Sequence, residues 1–62
     1  MTFRQVVKRL REDGWTIKEQ HGSHVQMVHA IKKGKVTIPK HGNTDLKPGT
    51  LKAIWRQAGL GN

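Results

Sequence analysis

The chain has 62 residues, no cysteine, and twelve Lys and Arg residues against four Asp and Glu, which gives a formal net charge of +8. This length predicts one domain over residues 1–62, with a core too small to enclose a large substrate cavity. The lack of cysteine excludes disulfides and thiolate metal sites. The sequence has no apolar run near the roughly 20 residues of a membrane span and no signal peptide, so we expect a cytoplasmic protein without a membrane partner.

The positive charge is distributed along the whole chain rather than collected in a tail. A basic globular domain of this kind is typical of proteins that bind a polyanion, of which nucleic acid is the simplest. An acidic membrane or an acidic protein would also match the charge, and a role in solubility alone is the remaining alternative. The charge therefore indicates that a partner is negatively charged, but not which kind of partner it is.

Two segments carry the apolar spacing i, i+3, i+4, i+7 of an amphipathic helix. The apolar positions of the first are Phe3, Val6, Val7 and Leu10, and those of the second are Leu51, Ile54, Trp55 and Ala58. The first helix is predicted over Thr2 to Asp13, with a capping box of Thr2 and Gln5 and Gly14 in the left-handed position after its end. The second begins at Pro48 and stops at Gly59 and Leu60.

Three strands are predicted between the helices, at Trp15 to Gln20, His24 to His29 and Lys35 to Ile38. His21-Gly22-Ser23 is assigned to the first turn. Pro39 ends the third strand because proline cannot donate a ladder hydrogen bond, and a polar loop that holds His41 follows it.

Side chains alternate along a strand, so Val25 and Met27 are predicted to share one face, and His24 and Gln26 the other. His29 is an odd number of residues from His24, which predicts that it faces away from His24 in a structural or solvent-facing role.

The order helix, three antiparallel strands, helix predicts an α+β fold in which both helices cover one face of the sheet. The opposite face is then free to meet a partner. The predicted core comprises Phe3, Val6, Val7, Leu10, Trp15, Ile17, Val25, Met27, Val36, Ile38, Leu51, Ile54 and Trp55. Both tryptophans are thus assigned to packing, with base stacking as the alternative.

His24 stands at the start of the second strand, directly after a glycine turn. Cleavage of RNA needs a proton acceptor near neutral pH, and the reference pKa of histidine is about 6.5. His24 is therefore a candidate general base, with Gly22 setting the turn that positions it and with Ser23 and Gln26 as candidate helpers. The alternative is an ordinary surface histidine at a strand start.

Five short motifs follow one another along the chain. They are Leu10-x-x-x-Gly14-Trp15, Gly22-Ser23-His24, Lys33 to Pro39, Leu46-x-Pro48-Gly49-Thr50-Leu51-x-x-Ile54 and Gln57 to Leu60. The ordered set resembles the HicA-type toxins, the small mRNA interferases of HicA–HicB toxin–antitoxin pairs. Met27 departs from the resemblance, since an aromatic residue often stands there, and we expect methionine to fill the gap in the core.

The resemblance implies a fold similar to the double-stranded-RNA-binding domain, an endoribonuclease that cuts mRNA and blocks translation, and a HicB-type antitoxin that covers the active site. The family's catalytic histidine maps onto His24. It would take a proton from a ribose 2′-hydroxyl, whose oxygen then attacks the adjacent phosphate. The expected products are a 2′,3′-cyclic phosphate and a 5′-hydroxyl. The group that protonates the leaving oxygen stays open among Ser23, Gln26, His29, the lysines near the third strand, and water.

No cofactor and no metal site are expected, because the histidines lack the spacing of metal ligands. Phosphate contacts are predicted at Lys32, Lys33, Lys35, Lys47 and Lys52. For the first three, the alternative is a solvated cationic hairpin. Two other functions compete with RNA cleavage: a non-catalytic RNA-binding module of the same fold, which would not need His24, and a DNA-binding accessory protein, for which the chain lacks a helix-turn-helix pattern.

Overall fold

The computed structural model describes residues 1–40, 42 and 44–60 of the chain. Helix α1 spans Phe3–Glu12, strands β1, β2 and β3 span Trp15–His21, His24–His29 and Lys35–Pro39, and helix α2 spans Pro48–Gln57. The three strands form one antiparallel sheet in the order β1-β2-β3. The predicted α+β fold is confirmed, and it is consistent with a double-stranded-RNA-binding-domain-like fold. The predicted loop position of His41 lies outside the described residues.

The predicted helix ends are confirmed by their hydrogen bonds. At the start of α1, the Gln5 amide donates to Thr2 Oγ1 at 3.3 Å, and the Thr2 amide donates to Gln5 Oε1 at 2.9 Å. This reciprocal pair is a capping box. At the end of α2, Gly59 has a φ of +71° and the Leu60 amide donates to the Trp55 carbonyl at 2.8 Å, which is the Schellman arrangement. No helix in the described ranges is both long and apolar enough to cross a membrane.

Both helices pack on the same face of the sheet, as predicted. One buried cluster contains residues of α1, of all three strands and of α2. Its members are Val6, Val7, Leu10, Trp15, Val25, Met27, Val36, Ile38, Leu46, Ile54 and Ala58. Phe3, Leu51 and Trp55 are partly buried at its edge rather than fully enclosed. Met27 is fully buried, so the methionine fills the core position as expected.

One predicted core residue is wrong. Ile17 lies opposite the buried Met27, and therefore on the helix side of the sheet, but 41% of it is exposed. Strand β1 is an edge strand, and its register shifts between Ile17 and Glu19. A groove between α1 and this edge, lined in part by Phe3 and Val7, leaves the Ile17 side chain open to water.

Leu46 is a core residue that the sequence patterns miss. It lies in the connection before α2, where no helical or strand periodicity marks it, yet it is only 5% exposed. Its amide donates to the Met1 carbonyl at 2.8 Å, and Thr2 forms an isolated β-bridge with Asp45. The N-terminus therefore holds this connection against the core.

The first turn is shorter than predicted. Strand β1 continues through His21, which pairs directly with His24, so that only Gly22 and Ser23 form the loop. Gly22 has a φ of +58°, whereas Ser23 does not have a positive φ. A two-residue loop with glycine in this first position is a favoured hairpin connection, because its twist matches that of the strands. The assignment of His21 to the turn is thus corrected: it is a strand residue beside His24.

Candidate nucleic-acid interface

The face of the sheet opposite the helices is left uncovered by the described elements, and we call it the open face. Residues directly opposite each other on neighbouring strands point to the same side, so the register assigns its members. They are Thr16, Glu19 and His21 of β1, His24, Gln26 and Val28 of β2, and Lys35, Thr37 and Pro39 of β3. This face therefore combines imidazole, amide, hydroxyl and ammonium groups.

His24 lies on the central strand of the open face and is exposed. It has His21 opposite it on β1 and Pro39 opposite it on β3. Its orientation is the predicted one, because Val25 and Met27 fill the core on the other side. A polyanion that lies across the sheet would meet the imidazole from the solvent side.

The predicted helpers of His24 lie close to it along the chain but differ in setting. Gln26 is partly buried on the open face, two residues along β2. Ser23 is exposed in the hairpin loop, and its carbonyl accepts a hydrogen bond of 2.6 Å from the Lys40 amide. This bond ties the residue after β3 to the loop. The hairpin that carries His24 is thus held from both neighbouring strands.

A second histidine stands beside His24 with a carboxylate attached. His21 Nε2 lies 2.6 Å from Glu19 Oε2, and the two side chains are 70% and 41% exposed. The hydrogen bond from the His21 ring, and secondly the ring's charge, hold the pKa of the Glu19 carboxyl below its usual range. This pair is not among the site residues predicted from the sequence. The two-residue loop Gly22-Ser23 is the sequence feature that indicates a hairpin with His21 opposite His24.

His29 faces away from His24, as predicted, and its ring is used for structure. Its Nδ1 accepts hydrogen bonds of 3.0 Å from the Ile31 and Lys32 amides, and its Nε2 lies 2.6 Å from the Asp13 carbonyl oxygen. Amides only donate and carbonyls only accept, so the ring is neutral with its hydrogen on Nε2. The ring also packs edge-on against Trp15 at 5.3 Å between centroids.

Lys32 is engaged inside the protein. Its Nζ donates to Asp13 Oδ2 at 2.6 Å and to the Ala58 carbonyl at 3.1 Å. The hydrogen bond from Lys32 is the largest cause that lowers the pKa of the Asp13 carboxyl. Asp13 also accepts a hydrogen bond of 3.1 Å from Trp15 Nε1. Lys32 therefore joins the ends of the two helices, and this bonding competes with the phosphate contact predicted for it.

The other predicted phosphate contacts, Lys33, Lys35, Lys47 and Lys52, are exposed, and of these only Lys35 belongs to the open face. Lys33 is in the connection between β2 and β3, and Lys35 is opposite Val28. Val28 is four positions along β2 from His24, which is about 13 Å. Lys47 caps the start of α2 and lines a cavity together with Pro39, the neighbour of His24. Lys52 is exposed on α2.

Within residues 1–40, 42 and 44–60, no three or more His, Asp or Glu side chains are arranged to hold a metal ion. Glu19 and His21 form a hydrogen-bonded pair next to His24.

Comparison with known families identifies the chain. The model of the HicA toxin of bacterial toxin–antitoxin systems matches residues 3–60, a range that includes both helices and all three strands. Comparison with curated proteins gives no match. A toxin of such a system has an antitoxin as its partner. Since the match covers nearly all of the 62 residues, the chain belongs to the HicA toxin family of bacterial toxin–antitoxin systems.

Proposed function

We propose that this protein is an endoribonuclease toxin that cuts mRNA and so blocks translation in the cytoplasm, with His24 as the general base. The observation that carries the proposal is the position of His24, exposed on the central strand of the open face of a domain with a net charge of +8. Membership in the HicA toxin family supports it. The other sheet face is filled by the core, so the open face is the broad sheet surface on which RNA can lie.

The chemistry follows from an imidazole next to a ribose. His24 removes the proton of a 2′-hydroxyl, and the 2′-oxygen attacks the adjacent phosphorus. The bond from phosphorus to the 5′-oxygen of the next nucleotide breaks, which yields a 2′,3′-cyclic phosphate and a 5′-hydroxyl. This reaction requires no metal ion, because both the nucleophile and the phosphate belong to the RNA. A positioned general base accelerates such a reaction by about 10²–10⁴-fold.

Phosphate contacts would place the scissile bond at His24. Lys35 stands at one end of the open face, with Lys33 in the connection before it, and Lys47 stands beyond Pro39 at the other, with Lys52 further along α2. A strand of RNA that runs from Lys35 to Lys47 across the open face passes over His24. Sugar and phosphate contacts of this type position a nucleic acid without reading its sequence.

The antitoxin is proposed to be a HicB-type protein that covers His24. A ribonuclease left free would cut the mRNA of its own cell, and occlusion of the base is the simplest means of neutralisation. An acidic binding face on the antitoxin would complement the +8 charge and speed the encounter. A structure of the complex is expected to show His24 inside the interface. His24 open to solvent and RNA in that complex would contradict occlusion.

The test of the proposed function is incubation of the pure protein with end-labelled RNA, with and without EDTA, followed by identification of the product ends. We expect cleavage in both conditions, with 2′,3′-cyclic phosphate and 5′-hydroxyl ends. Cleavage that EDTA abolishes, or that leaves 5′-phosphate ends, would contradict the mechanism. RNA binding without cleavage would instead favour the non-catalytic RNA-binding module, which shares the fold and the basic surface.

A further inference from the structure

We infer that His21, held by Glu19, is the general acid that protonates the leaving 5′-oxygen while His24 acts as the base. This assignment rests on the proposed function and adds a second catalytic residue to it. Three observations on the open face carry it: the register of the β1–β2 hairpin, the hydrogen bond between His21 and Glu19, and the place of this one carboxylate on a basic surface.

The hairpin register sets the two imidazoles side by side. His21 and His24 are the pair that closes the two-residue loop, so they are directly opposite each other and point to the same side of the sheet. The Cβ atoms of such a pair are about 4.5–5.5 Å apart. Rings that project from these positions can stand on two sides of one phosphate. Attack by the 2′-oxygen and departure of the 5′-oxygen occur on opposite sides of the phosphorus, so base and acid need this separation.

Glu19 sets the orientation of the His21 ring. An ionised carboxylate only accepts hydrogen bonds, so Nε2 of His21 carries a hydrogen and donates it to Glu19 Oε2 across 2.6 Å. Nδ1 is then the nitrogen that can serve a substrate. A carboxylate behind an imidazole also stabilises the ring when it carries both protons, which is the form that an acid needs.

The position of Glu19 is otherwise unfavourable for an RNA-binding protein. Of the four acidic residues of the chain, Asp13 bonds to Lys32 and Asp45 pairs with the N-terminal ammonium at 3.6 Å. Glu12 lies on α1, away from the open face. Glu19 alone stands among the open-face residues defined by the register, where it repels phosphate. Exposed ion pairs contribute little to stability, so a gain in stability does not explain why a carboxylate stands at this position. A role in catalysis does explain it.

The proposed step balances in protons and bonds. His24 takes the 2′-hydroxyl proton as the 2′-oxygen bonds to phosphorus. The bond from phosphorus to the 5′-oxygen breaks, and the Nδ1 proton of His21 passes to that oxygen to give the 5′-hydroxyl. The histidines end in the opposite protonation states, with His24 charged and His21 neutral. Exchange of protons with water restores both before the next turnover.

The Glu19 carboxylate that holds His21 is itself acted on by the ammonium groups of Lys18 on β1 and Lys35 on β3. The imidazole of His24 stands opposite His21 on β2. Glu19 is the only one of these groups with a hydrogen bond to the ring in the described part of the chain. It is therefore the group whose removal is expected to change the orientation of the His21 ring most.

The deciding experiment compares His21→Ala and His24→Ala on two forms of one RNA that the wild-type protein cuts. In the second form, sulfur replaces the bridging 5′-oxygen at the mapped cleavage position. A thiolate leaves without a proton, so it removes the need for the acid and leaves the need for the base. We expect His21→Ala to lose about 10²-fold or more on the oxygen substrate and to approach the wild-type rate on the sulfur substrate. His24→Ala is expected to stay slow on both.

The pH profile gives an independent readout. Wild-type kcat/KM is expected to follow a bell-shaped pH profile, as in reactions that need one base and one acid. His21→Ala should lose the fall on the high-pH side, and Glu19→Gln should slow cleavage of the oxygen substrate because the carboxylate that orients the His21 ring is gone. Glu12→Gln is the matched control for Glu19→Gln, since Glu12 is an exposed glutamate on α1, away from the open face. It should keep the wild-type profile.

The outcomes distinguish a failure of this inference from a failure of the proposed function. If His24→Ala is inactive and His21→Ala cuts the oxygen substrate normally, the acid assignment is wrong and the base assignment stands. A His21→Ala protein that stays slow on the sulfur substrate would show a structural or binding role and would also overturn the acid. A wild-type protein that cuts no RNA would overturn the proposed function and this inference together.

Discussion

Neutralising Lys33 and Lys35 should weaken the salt dependence of RNA binding by a predictable amount. Each phosphate contact with single-stranded RNA contributes about −0.7 to the slope of log K against log salt. The double variant Lys33→Gln/Lys35→Gln should therefore bind with a slope about 1.4 less steep. Between 50 and 200 mM salt, that difference amounts to about a sevenfold smaller loss of affinity.

The assay is fluorescence anisotropy of a labelled single-stranded RNA at several salt concentrations. It is done in a His24→Ala background so that the RNA stays intact. A matched control neutralises Lys8 and Arg9, which are exposed on α1 and lie away from the open face, and it should keep more of the wild-type slope. An unchanged slope in the Lys33 and Lys35 variant would refute the phosphate contacts.

Lys32→Gln should instead lower the thermal midpoint, because it breaks the hydrogen bonds to Asp13 and Ala58.

Three further predictions concern stability. His29→Ala should reduce the free energy of unfolding in urea by about 2–4 kcal/mol, because it removes three hydrogen bonds and an aromatic contact. Asp13→Asn should weaken the fall of the thermal midpoint at acid pH. The pKa of the Asp13 carboxyl is lowered in the folded state, so the ionised carboxylate stabilises the wild-type fold at pH values above the unfolded pKa. This stabilisation is lost as the pH falls through the folded-state pKa. Ile38→Ala should cost about 2–5 kcal/mol in urea, and Ile17→Ala less than half of that, since Ile17 is 41% exposed.

Each of these predictions can fail clearly. An unchanged free energy of unfolding in His29→Ala would show that the hydrogen bonds of the His29 ring are not formed in solution. An acid limb that Asp13→Asn leaves unchanged would contradict the ion pair with Lys32. Equal costs for the Ile17 and Ile38 truncations would mean that Ile17 is enclosed after all, and that the groove beside β1 is closed.

Periodicity and capping chemistry determine most of the fold, and they are visible in the sequence. The two apolar stripes and the capping box give the helices, and alternation along β2 gives the orientation of His24. Exposure of Ile17 could not be predicted in this way, because it depends on which strand is at the edge and on how far α1 reaches across it. Leu46 is buried by a tertiary contact with the N-terminus that no local pattern records.

The candidate site was predicted only in part for a similar reason. His24 and its turn are marked by the Gly22-Ser23-His24 motif, but the partner of His24 on β1 depends on the loop length. A loop counted one residue too long places His21 in the turn, whereas the two-residue loop makes it the neighbour of His24. The bond of Lys32 to Asp13 joins residues far apart in sequence, and charge alone gives no sign of it.

The rate of RNA cleavage by His24→Ala decides whether His24 is the catalytic base, with the thermal midpoint and the affinity for RNA measured on the same variant. We expect a loss of about 10²–10⁴-fold in rate. The thermal midpoint should be nearly unchanged, since substitutions at exposed positions usually cost under about 0.5 kcal/mol. The affinity for RNA should also be unchanged, because it comes from the contacts of lysines with phosphates. Unchanged cleavage would contradict His24 as the base, and cleavage lost together with a collapsed midpoint would make His24 a structural residue.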